Sequence, residues 1–157
     1  MKYTCIKTVA IYLLATLPLL ANASTHKVKI THSVMVGDGI AKFIPEGFDA
    51  QKIPSFAIEK EPREQGALPA DWVLVPEFSL TDGKANASLT VPEGTSIYGG
   101  GEVTGSLLRN GKTIKLWNTD SGAYGVDKGT RLYQSHPWMM GVRKDGTAFG
   151  ILFDTTW

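Results

Sequence analysis

Residues 138–153 read Trp138-Met139-Met140-Gly141-Val142-Arg143-Lys144-Asp145-Gly146-Thr147-Ala148-Phe149-Gly150-Ile151-Leu152-Phe153. Two runs of apolar, β-favouring residues flank the polar Lys144-Asp145-Gly146. An Asp-Gly pair between such runs is a strong hairpin signal, because glycine takes the left-handed backbone that a tight turn needs. The reading is a strand over Trp138–Val142, a turn, and a strand over Ala148–Phe153. Upstream, Thr113–Trp117 and Arg131–Ser135 read as two further strands by alternation of apolar and polar residues. Ser55–Glu59, Trp72–Val75, Glu77–Thr81 and Ala87–Val91 continue the pattern, punctuated by Pro54, Pro62, Pro69, Pro76 and Pro92. Near the start, Val28 and the stretch from Ile30 to Val36 lead through Gly37-Asp38-Gly39 into Ile40–Ile44, an opening hairpin. The charged stretch Glu59–Ala70 reads as an exposed loop. No segment after the first 23 residues keeps a 3.6-residue apolar period for three turns, and no solenoid-length repeat occurs. With 17 glycines and 8 prolines in 157 residues, the expected fold is all-β: an antiparallel β-sandwich of about ten strands.

The first 23 residues read as an address. Lys2 and Lys7 give a positive start, Val9–Leu20 is an apolar run, and Ala21-Asn22-Ala23 offers the small-x-small pattern of a signal peptidase site. Cleavage is expected before Ser24, leaving one domain over residues 24–157 in a secreted or periplasmic location. The apolar run falls short of the ~20 residues that span a bilayer, so no membrane association is expected after cleavage. Cleavage removes two lysines and no acid, which leaves 14 basic against 15 acidic residues. Such a near-neutral chain has no broad positive surface for phosphate backbones, which argues against a nucleic-acid partner. Cys5 is the only cysteine and lies inside the leader, so the mature chain has no disulfide or thiolate.

Several cofactor motifs are approached and missed. In Gly105-Ser106-Leu107-Leu108-Arg109-Asn110-Gly111-Lys112-Thr113, five residues separate the glycines where a phosphate-cradling loop has four, and a strand follows instead of a helix. Gly99-Gly100-Gly101 begins like a dinucleotide fingerprint, but Thr104 stands where the third glycine belongs. His26, His32 and His136 are scattered without ligand spacing. No metal and no cofactor are expected.

Carboxylates are the remaining route to chemistry, and Glu102, Asp120, Asp127 and Asp154 are the candidates by type. Asp127 and Asp145 sit beside Lys-Gly or Gly and read as turn residues. Glu102 follows three glycines and reads best as an anchor that accepts backbone N–H bonds in a tight loop. Asp120 belongs to Leu116-Trp117-Asn118-Thr119-Asp120, where an aromatic plate and polar side chains leave a strand for a glycine-rich loop. Aromatic faces stack on the C–H surfaces of sugars while carboxylates and amides bind vicinal hydroxyls. The spacing is equally compatible with a core Trp117 and a turn-capping Asp120.

Tyr98-Gly99-Gly100-Gly101-Glu102, Lys115-Leu116-Trp117-Asn118-Thr119-Asp120, Leu132-Tyr133-Gln134-Ser135-His136-Pro137 and Gly150-Ile151-Leu152-Phe153-Asp154 occur in series. Together they resemble the amino-terminal domain of glycoside hydrolase family 31, which includes α-glucosidases, α-xylosidases and related transglycosylases. The resemblance covers Ala70–Trp157 and implies a galactose-mutarotase-like β-sandwich, incomplete at its C-terminal end. It also implies that catalysis belongs to a (β/α)8 barrel following in cis. The family's Trp-x-Asp-Met-Asn-Glu-like nucleophile segment does not occur before Trp157, so this chain alone is expected to be inactive. At the position matching Asp120, the family's aspartate hydrogen-bonds substrate hydroxyls. The resemblance thus implies a substrate-binding role for Asp120, with Trp117 and Asn118 shaping the loop around it, and an oligosaccharide or glycoside as partner. A stand-alone, non-catalytic carbohydrate-binding sandwich is the alternative from a different class.

Overall fold

A computed structural model of the chain describes residues 24–48 and 63–154. Eight strands run through these residues: β1 Thr25–Val28, β2 Ile30–Gly37, β3 Ile40–Pro45, β4 Glu77–Thr81, β5 Lys84–Ser88, β6 Ser96–Gly99, β7 Trp138–Val142 and β8 Ala148–Leu152. Every pairing is antiparallel. The strands form a three-stranded sheet ordered β1-β4-β5, a β2-β3 hairpin and a three-stranded sheet ordered β6-β7-β8. The all-β expectation holds. Only two short 3₁₀ turns, Gly122–Tyr124 and Val126–Gly129, interrupt it among the described residues.

The hairpin at residues 138–153 forms as its sequence dictates. Gly146 takes a positive φ of 84°, the Gly146 N–H donates to Arg143 O at 3.0 Å, and the Arg143 N–H donates to Thr147 O at 2.8 Å. Asp145 locks the turn by accepting from the Thr147 N–H at 2.9 Å and the Thr147 hydroxyl at 2.7 Å. Those two bonds hold its carboxyl below the usual carboxylate range, with Arg143 adding to the effect. Two glycines in this sheet are covered by aromatic rings. Phe149 lies over Gly141, its partner across the ladder, and Trp138 lies over Gly150, so a β-carbon at either glycine would collide with the ring. The Arg143 guanidinium sits 4.8 Å from the Phe149 ring centroid.

Several strand assignments are revised. Thr113–Trp117, Arg131–Ser135 and Trp72–Val75 join no ladder. Thr113–Trp117 alternates like a strand, yet the nearest ladder-like bond, from the Thr119 N–H to Leu132 O at 2.8 Å, comes two residues later. Alternation records a half-buried face, while a strand also needs a neighbour for its backbone. The strand expected at Ala87–Val91 instead begins at Lys84. Asp82 and Gly83, at φ of 50° and 73°, close a tight turn that lets β5 pair at once with β4. Ser55–Glu59 lies outside the described residues. Of the expected Glu59–Ala70 loop, Gln65 and Gly66 exchange backbone bonds with Met35 at 2.7 and 2.9 Å, so part of it is stitched to β2.

Among the described residues, Val34 and Leu132 are the large apolar side chains that are buried. Trp138, Met140 and Leu152 share one face of the β6-β7-β8 sheet and are all exposed. The other face carries Met139, Ile151 and Phe149 and is half-buried.

Candidate functional site

Where β6 ends, Gly99, Gly100 and Gly101 turn the chain sharply back along the segment before β7. Gly101, at φ 91°, passes so close to that segment that a β-carbon would meet Gln134 O, His136 N and Ser135 Cα. This close approach delivers Glu102 to its place. Its N–H donates to Gln134 O at 2.8 Å, and its Oε2 accepts from the Tyr133 N–H at 3.2 Å. Glu102 is therefore the loop anchor that its position after three glycines suggests. Beside it lies a shallow, open depression lined by Gly99–Gly101, Glu102, Gln134, His136 and Trp138. His136 Nε2 and Gln134 Oε1 are 3.2 Å apart on its rim.

The segment that holds Glu102 also holds the loop carrying Asp120. Leu132 O receives the Thr119 N–H at 2.8 Å, and the Tyr133 hydroxyl donates to Ser121 O at 3.2 Å. Residues 119 and 121 are thus pinned on both sides of Asp120, and Ser121 is 2% exposed. The Tyr133 hydroxyl is held above its ordinary pKa of about 10. Lost hydration is the first cause, followed by the charge of the adjacent Asp120 carboxylate, hydrogen bonding to it, and the charge of Glu102. A phenol has one proton, so Ser121 O and the Asp120 carboxylate compete for the same donor.

Trp117 is 63% exposed, and Asn118 and Asp120 are exposed as well. Trp117 is therefore not a core residue. The 3₁₀ turn that follows has Ser121 at its N-cap position, so Asp120 does not cap it. The structure brings Trp117, Asn118 and Asp120 to the surface on one loop, with an indole, an amide and a carboxylate available to a polar ligand. Tyr133 and Ser121 were not singled out by residue type. Tyr133 is the residue that couples the Glu102 turn to the Asp120 loop, and its membership of the Leu132–Pro137 segment was the available signal.

The near-miss phosphate loop has a structural use. Arg109, 7% exposed, donates from Nε to Gly99 O at 3.0 Å and from Nη1 to Ser106 O at 2.8 Å. The Arg109 N–H donates to Ile97 O at 2.7 Å. The Asn110 amide accepts from the Ile97 N–H at 2.8 Å and donates to Thr95 O at 2.8 Å. Two residues thus occupy the outward-facing groups of β6 at positions 97 and 99, and of Thr95 just before it, in place of a neighbouring strand. The described histidines remain apart, with His32 paired to Glu64 at 2.7 Å. No group of three His, Cys, Asp or Glu side chains able to hold a metal occurs among the described residues.

The described residues form antiparallel sheets with a glycine-rich turn and an exposed loop that carries an aromatic and a carboxylate. Residues 51–157 match the family model of the glycosyl hydrolase 31 N-terminal galactose mutarotase-like domain, and the chain belongs to that family. The chain is similar to alpha-glucosidase 2 of Bacillus thermoamyloliquefaciens, at 48% identity over 65 residues, 41% of this chain and 8% of that protein. It is also similar to an alpha-glucosidase of Hordeum vulgare, at 42% identity over 80 residues, 49% of this chain and 9% of that protein. The matched regions span less than a tenth of either relative.

Proposed function

We propose that this chain is the substrate-lining front domain of a secreted, retaining α-glycosidase of the α-glucosidase type, acting on terminal α-glycosidic bonds of oligosaccharides. The observation that carries the reading is the loop Trp117–Asp120, which presents an indole, an amide and a carboxylate to solvent from a backbone pinned on both sides. An exposed carboxylate on a fixed backbone accepts hydrogen bonds from a vicinal pair of sugar hydroxyls, while an indole covers the apolar face of a ring. In this reading Asp120 binds substrate, and Trp117 and Asn118 shape the approach. Bond cleavage falls to a carboxylate pair on a following (β/α)8 barrel, one forming the covalent glycosyl intermediate and the other serving as acid and then base. The leader Met1–Ala23 would direct the protein to the periplasm or the exterior, with cleavage before Ser24.

The test has two arms. Sequencing the natural locus past the Trp157 codon should reveal an open frame of several hundred codons with a Trp-x-Asp-Met-Asn-Glu-like segment. An authentic stop would leave a non-catalytic sugar-binding sandwich instead. In the intact gene product, Asp120→Ala should raise KM for maltose by about tenfold or more, the loss expected for a hydrogen bond to a charged group. A change below twofold would remove Asp120 from the site.

A further inference from the structure

Asp120 is exposed, yet the backbone on both sides of it is bonded to residues 132 and 133, with Ser121 O also accepting from the Tyr124 N–H at 3.4 Å. Thr119 is held by Leu132, Ser121 is held by the Tyr133 hydroxyl, and Tyr133 is held by the Glu102 carboxylate through its own N–H. Glu102 is in turn placed by the close passage of Gly101 over Gln134 and His136. These contacts run in one direction, from the end of β6 through Glu102 and Tyr133 to the backbone on the far side of Asp120. We propose that Tyr133 and Glu102 are positioning residues for substrate binding: Glu102 fixes Tyr133, and the Tyr133 hydroxyl fixes the Asp120 loop in the geometry that receives the sugar. The proposal rests on the substrate-binding role assigned to Asp120.

Two features separate this from a purely structural role. The Tyr133 ring is half exposed, so its hydroxyl bond to Ser121 O contributes little to a packed core. The Asp120 charge also acts on the same hydroxyl, so the group that fixes the loop shares its field with the group that would meet the ligand. Removing the hydroxyl alone leaves the ring, the Thr119–Leu132 bond and the Glu102 anchor in place.

The experiment is a double-mutant cycle in the intact gene product with maltose as the probe, measuring KM and kcat separately. Tyr133→Phe should raise KM about threefold to tenfold with kcat changed less, the scale of one hydrogen bond to the binding geometry. Combined with Asp120→Asn, it should add little further loss, because both substitutions disable the same contact. Glu102→Ala should reproduce the Tyr133→Phe effect, and Glu102→Gln, which keeps an acceptor for the Tyr133 N–H, should restore most of what Glu102→Ala loses. That rescue keeps the test informative if one variant folds poorly. A wild-type KM for Tyr133→Phe beside a raised KM for Asp120→Asn would overturn the positioning role and leave the Asp120 reading standing. Fully additive losses in the double variant would also overturn it. A wild-type KM for Asp120→Asn would defeat the Asp120 reading itself, and the positioning role with it.

Discussion

At the scale of single residues, the informative group is the Tyr133 hydroxyl, because three acceptors or charges converge on it. Its folded-state pKa lies above the ordinary phenol value, since partial loss of hydration and the nearby Asp120 and Glu102 charges all disfavour the phenolate. The sign of the pH dependence follows. A group whose folded pKa is raised contributes stability that is fully present below its unfolded pKa, and this is lost as the pH climbs through the folded value. The loop around Asp120 should therefore loosen only in alkali, above about pH 10, the ordinary phenol range. In an alkaline absorbance titration of residues 24–157, whose tyrosines are Tyr98, Tyr124 and Tyr133, Tyr133 should belong to the late-ionising fraction. Tyr133→Phe should delete that late step, and Asp120→Asn should move it toward lower pH. An unaltered late step in Asp120→Asn would show that the two side chains do not sense each other. Much of this residue-level picture could not be read from the sequence. Glu102 was legible as an anchor because three glycines precede it, and Asp120 drew attention as a candidate because an aromatic and two polar residues lead up to it. The partnership of Tyr133 with Ser121 joins positions twelve apart and has no local signature.

At the scale of elements, hairpins were the most legible feature and unpaired extended segments the least. Asp145-Gly146 announces the β7–β8 turn directly. The equivalent pair Asp82-Gly83 closes β4 onto β5, but the strand after it was placed three residues late, where apolar residues cluster. Thr113–Trp117 and Arg131–Ser135 show the opposite error, since both alternate and neither finds a ladder. The backbone demand that alternation implies is met elsewhere, and along β6 it is met by Arg109 and Asn110. This contact has a measurable weight. Arg109→Ala deletes the donors to Gly99 O and Ser106 O; Lys112 Nζ still reaches Ser106 O at 3.4 Å, so Gly99 O is the carbonyl that loses its side-chain partner. A destabilisation of about 1–2 kcal/mol is expected, the cost of one part-buried acceptor left without its partner together with the lost packing of a buried side chain. Urea unfolding of the intact gene product, followed by a probe in this domain, measures it. A change under about 0.5 kcal/mol, typical of a surface position, would mean that the loop merely lies along the strand.

At the scale of the whole molecule, the antiparallel all-β architecture was legible because hairpin turns and strand-length apolar runs are local. The distribution of burial was not. The run Trp138–Val142 is apolar on both faces, the pattern of a strand covered on two sides, yet Trp138, Met140 and Leu152 stand exposed on one of them. An uncovered patch of this kind attracts other apolar surfaces. Residues 24–157 expressed alone should bind an apolar fluorescent dye and grow in apparent size with concentration in light scattering. Met140→Lys should reduce both effects. A monomeric, dye-silent product would show that this face is covered within the chain.

The Arg109–Asn110 contact along β6 has a consequence for how copies of this sheet can meet. Along β6 the outer backbone groups are already occupied by Arg109 and Asn110. A sheet open on both margins can add neighbours without end, whereas one open on a single margin can zip to one other copy and then has nothing left to offer. The blocked side thus acts as a stop: no second copy can add its backbone along β6 while Arg109 and Asn110 hold those groups, and removing them would open that margin.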